Sequence, residues 1–151
     1  MASLWRMQLK AAFAGRVKMD SSGVVIARKD EIREISKEKA DLGWRVFVLP
    51  SDIRNKPEFF DAVRAVLPLA PPLHPNDENW DALNDSLWAG LHSLHTPGNI
   101  IVWRGFDLLK NNSGSDFEIA LGVFDSIANT ISDPKYGGGF SSHLMVFLVE
   151  S

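Results

Sequence analysis

The chain has 151 residues, a formal net charge of −3, 45% hydrophobic and 23% charged residues, the balance of one ordinary globular domain. It carries no cysteine, which excludes disulfides, thiolate zinc sites and cysteine nucleophiles, and it shows no basic signature of direct nucleic-acid binding. No apolar run has membrane-spanning length, and Arg6, Gln8 and Lys10 interrupt the start MASLWRMQLKAAFAG where a signal peptide would be continuously apolar, so the expected location is cytoplasmic.

Residues 1–20 fit a helix, an edge strand or a frayed arm equally well. SGVVIAR, from Ser22 to Arg28, has the composition of an extra strand, and KDEIREISKEKADLG reads as a charged helix that stops at Gly43. WRVFVLP (44–50) is then a short apolar run with strand character. KPEFFDAVRAVLPL follows at helical spacing, with Phe59, Phe60, Val63, Val66 and Leu67 on one face, Pro57 at its start and Pro68 at its end. PLAPPLHP (68–75) is a stiff connector. After an acidic helix come NIIVWRGF (99–106), a second strand, and GSDFEIALGVFDSIANTIS, a helix carrying Phe117, Leu121, Phe124, Ile127 and Ala128 on one face. YGGGFSS (136–142) is a glycine-rich loop before the last strand, HLMVFLVES (143–151).

Strands separated by helices need crossover connections, which predicts an α/β protein: a parallel three-stranded sheet flanked by helices, with Ser22–Arg28 available as a fourth strand. The expected sheet strands are 44–50, 99–104 and 144–149.

The acidic helix holds the most information. DENWDALNDSLWAGL (77–91) places four carboxylates in its first nine residues. At about 100° per residue, Leu83, Leu87, Leu91 and Leu94 fall on one arc with Trp80, the expected core face. Asp77, Asp81, Asp85, Trp88 and His92 fall opposite, and Asn84 lies at the border. Acids near a helix N-terminus are favoured by the helix dipole, and an acidic stripe is commonly only a solvated face. Here, however, like charges four residues apart repel by about 0.2–0.5 kcal/mol each. No lysine or arginine relieves them between Glu78 and Leu91, and an exposed tryptophan beside them invites cover. That combination suits a surface that meets a cationic partner.

ENWDALNDSL, followed by VWRGF and VFDSIA, resembles the barstar family of small bacterial ribonuclease inhibitors. The resemblance runs from Trp44 to Ser151 and leaves residues 1–43 as an N-terminal extension ahead of a barstar-like domain, 44–151. It implies a protein that is not an enzyme and needs no cofactor, and that plugs the active site of a basic ribonuclease or toxin nuclease with this helix and the loop before it. Asp81 and Asp85 match the two aspartates that face the nuclease cleft, Asp85 taking the place of the substrate phosphate; Asn79 matches an asparagine that ties the preceding loop. The implied partner-binding set is Asp77, Asn79, Trp80, Asp81, Asn84, Asp85 and Trp88. The chain departs from the family pattern at Pro75, Asn76 and Asp77, where an aromatic pair and glycine are usual. It departs again at Asn84, in place of a contacting tryptophan, and at Ser126, in place of an acidic contact with Asp125 beside it. A barstar-like interaction module acting on a partner other than a ribonuclease is the alternative reading.

Elsewhere the sequence offers little chemistry. His92 and His95 are spaced to share a metal, but no third ligand accompanies them, so no metal is expected. GSDFE has no histidine in triad order, and YGGGFSS lacks the lysine and hydroxyl residue of a phosphate loop. Trp5, Trp44 and Trp103 read as packing residues.

Overall fold

The computed structural model describes residues 23–150; the readings for residues 1–20, Trp5 included, lie outside them. In chain order the elements are β1 (Gly23–Arg28), α1 (Lys29–Asp41), β2 (Arg45–Leu49), α2 (Lys56–Val66), α3 (Trp80–Ser93), β3 (Asn99–Trp103), α4 (Phe106–Asn112), α5 (Gly114–Ile131) and β4 (Leu144–Glu150). The four strands form one sheet in the order β1-β4-β3-β2, and every neighbouring pair is parallel. Strand β1 is the fourth strand, paired along β4 from Gly23 opposite Met145 to Arg28 opposite Glu150. Segment 23–43 thus contributes an edge strand and a helix to the same sheet as the rest of the chain.

Side-chain alternation along the strands feeds two cores. Leu144, Val146 and Leu148 of β4, with Ile101 and Trp103 of β3, point into the larger one, which α2, α3 and α5 close with Phe59, Phe60, Leu83, Leu87, Phe117 and Phe124. Met145, Phe147, Ile100 and Val102 point the other way, where Ile32 and Ile35 of α1 cover them together with Val25 and Ala27. Each fully buried leucine or phenylalanine contributes about 1.5–3 kcal/mol of burial. The sheet is therefore sandwiched, with most of its cover on one side.

Local signals account for the helix ends. The Asn55 side chain caps α2 by accepting from Glu58 N–H at 2.9 Å, with a proline in the first turn. The run 99–106 does not stay extended. Strand β3 stops at Trp103 because Gly105 takes φ 68°, and Phe106 begins the short helix α4. A side chain at Gly105 would also collide with the carbonyl oxygen of Ser51, so the strand end and the β2–α2 turn are packed backbone to backbone.

Candidate partner-binding surface

Helix α3 is positioned from both ends. At its start Asn79 is the N-cap, its side-chain oxygen accepting from Ala82 N–H at 3.0 Å. Leu83, Leu87 and Leu91 are 0% exposed, as the spacing predicts. Ser86 and Gly90 are buried on the adjoining flank, against the proline-rich connector. There Ala70 N–H donates to Ser86 O at 3.0 Å, and a side chain at Gly90 would run into the Pro68 carbonyl. The connector is laid along the helix rather than looped away from it, and its Ala70–Pro71 bond is cis.

Asp81 and Asp85 project from the opposite side of this anchored helix, exposed. Among the described residues neither makes an ion pair or a side-chain hydrogen bond. Two cations of α2 are engaged with other groups. Lys56 Nζ lies 5.4 Å over the Trp80 ring, and Arg64 is held 3.0 Å from Asp61. The two aspartates are thus a pair of uncompensated charges on a rigid support, the arrangement an anion-mimicking surface needs.

Four expectations need correction, the simplest being Leu94, which the spacing places on the core face but which is half-buried at the C-cap of α3. Asp77 does not belong to the helical stripe: the chain becomes helical only at Trp80, and Asp77 and Glu78 precede the cap. The Asp77 carboxylate turns back to accept from Asn79 N–H at 2.9 Å, and its carbonyl accepts from Arg64. It shapes the loop before α3, and the ladder on the helix itself is Asp81 and Asp85. Trp80 is half-buried rather than fully buried, because it sits at the first helical position, where Phe60 (4.9 Å between centroids) and Phe59 (5.7 Å) cover only part of it.

Trp88 is also half-buried, where the helical wheel predicts an open aromatic. Its indole N–H donates to Thr130 Oγ1 of α5 at 2.9 Å, and its ring stacks on His92 at 4.9 Å with 14° between planes. A neighbouring helix on the flank, invisible to a one-helix wheel, accounts for this. Asn84 is half-buried at the border, as its angle predicts.

The histidines serve packing. His92 Nε2 lies 3.3 Å from Phe140 O and His95 Nδ1 lies 3.0 Å from Ser93 O, while both rings contact the Phe140 ring. No group of three metal-ligating side chains occurs among the described residues.

Helix α5 completes the surface. Ser126 is exposed one turn before Thr130, and the Thr130 hydroxyl also bonds back to Ser126 O at 3.1 Å. Asp125, beside Ser126, is half-buried and accepts from Asn129 at 3.4 Å; burial raises its carboxyl above the ordinary range, against the smaller opposing effect of Asn129. On α2, hydrogen bonds from the Arg54 side chain and backbone hold Glu58 below the ordinary range. Sequence reasoning missed Arg64, Lys56 and Thr130. The Asp61–Arg64 spacing signals a helical ion pair, but nothing local signals that Arg64 reaches Asp77 or that Thr130 meets Trp88.

Residues 44–140 match the family described as Barstar (barnase inhibitor), which is more than half of the chain. The chain belongs to the barstar family. No curated protein and no solved structure matches it. The matched segment runs from Trp44, just before β2, through α5 to the glycine-rich loop, and contains the whole acidic surface. Strand β1 and helix α1 lie before it, and β4 after it. Among the described residues no helix is long and apolar enough to cross a membrane.

Proposed function

We propose that this barstar-family protein inhibits a basic ribonuclease by seating Asp81 and Asp85 of α3 in the cleft where that enzyme holds RNA phosphate. The observation that carries the reading is the contrast across one helix: three leucines fully buried, two aspartates exposed and uncompensated opposite them. Holding both carboxylates before the encounter lowers the ordering cost of binding. The cleft's cations then replace their lost water. Asp85 is the phosphate mimic, Asp81 its neighbour one turn earlier, and Trp80, Asn84 and Trp88 border the contact; Asn79 and Asp77 shape the loop leading in. The family match supports this, because its description is that of a barnase inhibitor. In this reading the protein acts in the bacterial cytoplasm, as the immunity partner of a toxin nuclease or the safeguard against a secreted one, and it has no catalysis of its own. Residues 1–43 are an extension to the inhibitory domain, 44–151.

A second reading has a specific observation in its favour. Asn84 stands where the family has a contacting tryptophan, and the Asp77 carboxylate is engaged with its own loop. Both changes alter the rim of the acidic face, and they suit a basic partner other than a ribonuclease. Tagged protein purified from its own host, with the captured partner identified, separates the two. The first reading expects a ribonuclease whose activity is suppressed on mixing and restored by dissociation. A captured protein without nuclease activity supports the second.

A further inference from the structure

The face of the sheet turned away from α3 is incompletely covered. Helix α1 crosses it in contact with β1, β4 and β2, and beside the helix an open groove of about 270 Å³ remains, lined by Ile32 and floored by Val46, Val48, Val102 and Val149. Val46 and Val48 are 38% and 45% exposed, unusual for strand residues in a sandwiched sheet. Among the described residues strand β2 is also an edge. Arg45 N–H donates to Gly98 O at 3.2 Å, so by alternation the backbone groups of Val46 and Val48 point away from β3, off the sheet. Lys29 and Arg33 of α1 and Arg104, just past β3, line the end of the groove nearest the strand C-termini. No carboxylate of the described residues pairs with any of the three. Ser36 Oγ, on the same wall, is buried with no hydrogen-bond partner among the described residues.

We propose that this groove and the β2 edge form a second docking surface, for an extended protein segment with a short apolar stretch bordered by carboxylates. The apolar side chains cover the valines, the segment's backbone pairs with the open edge, and its acids meet Lys29, Arg33 and Arg104. Charge selects the occupant. Residues 1–22 of this chain carry Arg6, Lys10, Arg16 and Lys18 against Asp20 alone, the wrong sign for a cationic rim. The floor is aliphatic and lacks the aromatic rings on which single-stranded nucleic acid stacks. The valines are too exposed for the enclosure a small ligand requires. The surface lies across the sheet from Asp81 and Asp85, so it leaves the acidic helix free.

The test uses the full chain, isotope-labelled, titrated with peptides in which Val-Thr-Val-Thr-Val is followed or preceded by Glu-Glu-Glu, and with counterparts carrying Lys-Lys-Lys. Expected is saturable movement of the amide signals of Ser36, Val46, Val48 and Arg104 with one of the acidic peptides, at a Kd below the order of 1 mM. Arg33→Glu with Arg104→Glu should weaken it by at least about tenfold, and Asp85→Ala should leave it unchanged. N-methylation of alternate peptide amides, which needs no protein variant, should abolish it. Equal binding of the lysine peptides, no binding of either acidic peptide, preference for oligouridylate, or closure of the β2 edge by self-association of the free protein would each overturn the proposal.

Discussion

The indole N–H of Trp88 and the hydroxyl of Thr130, 42 positions apart in the chain, meet at 2.9 Å and tie the acidic helix to α5. The bond fixes how far α3 can roll about its axis, and so where Asp81 and Asp85 point. It also turns Trp88 from an open aromatic into a wall at the side of the acidic face.

Loss of that bond should therefore be measurable as stability. Trp88→Phe keeps an aromatic ring against His92 but has no donor for Thr130, and a net hydrogen bond is worth about 0.5–1.5 kcal/mol. A double-mutant cycle with Thr130→Val, followed by chemical denaturation, should return a coupling in that range. Additive effects of the two substitutions would mean that the pair makes no energetic contact.

Gly90→Ala opposes two effects of different size. Alanine favours a helix over glycine by about 1 kcal/mol. At Gly90, however, the added methyl collides with the Pro68 carbonyl, and backbone cannot yield as a flexible side chain does. Overpacking of this kind costs about 1–3 kcal/mol, so the variant should be less stable in a urea melt. A gain in stability would show that the connector does not lie against α3.

Asp125 makes stability depend on pH in a stated direction. Burial raises its carboxyl, so the folded protein binds that proton more tightly than the unfolded chain does. Its contribution to stability is complete below the ordinary carboxylate range and is lost as pH rises through the raised folded value. Asp125→Asn should remove this loss: the melting temperature at neutral pH should rise, and its decline on leaving mild acid should flatten. Glu58, held low by Arg54, acts in the opposite sense and at lower pH, where its contribution disappears as the solution is acidified through its folded value. An unchanged melting profile for Asp125→Asn would contradict the assignment.

Much of this arrangement was legible in the sequence, and the omissions share a cause. The leucine spacing of α3 placed Leu83, Leu87 and Leu91 inside and Asp81 and Asp85 outside, because a single helix against one core obeys its own period. The three strands after residue 43 were equally plain, being apolar runs between breakers. Helix α4 was hidden because Phe106 prolongs an apolar run, while the turn ending that run depends on a positive φ at Gly105 and its approach to Ser51. The acid spacing carried the helix back to Asp77, whereas α3 begins after Asn79, whose side chain accepts from Ala82 N–H, and Asp77 bonds within the loop before it. Trp88 was misplaced because its burial comes from α5, contributed by residues far along the chain.

The central claim is that Asp85 is the core of a charge-complementary interface, and binding kinetics against the captured partner test it most directly. Wild type, Asp85→Ala and Glu34→Ala are to be compared, Glu34 being an exposed acid on α1, on the other side of the sheet. If Asp85 fills a cationic cleft, truncation leaves buried donors unpaired and costs about 2–5 kcal/mol or more, a range for which barnase–barstar is itself a reference case. Glu34→Ala should cost under about 1 kcal/mol. Both variants should melt close to wild type, since exposed substitutions usually stay within about 0.5 kcal/mol. Salt should slow association more than it speeds dissociation. Equal affinity of all three proteins for the partner would contradict the account and leave Asp81 and Asp85 as a solvated face.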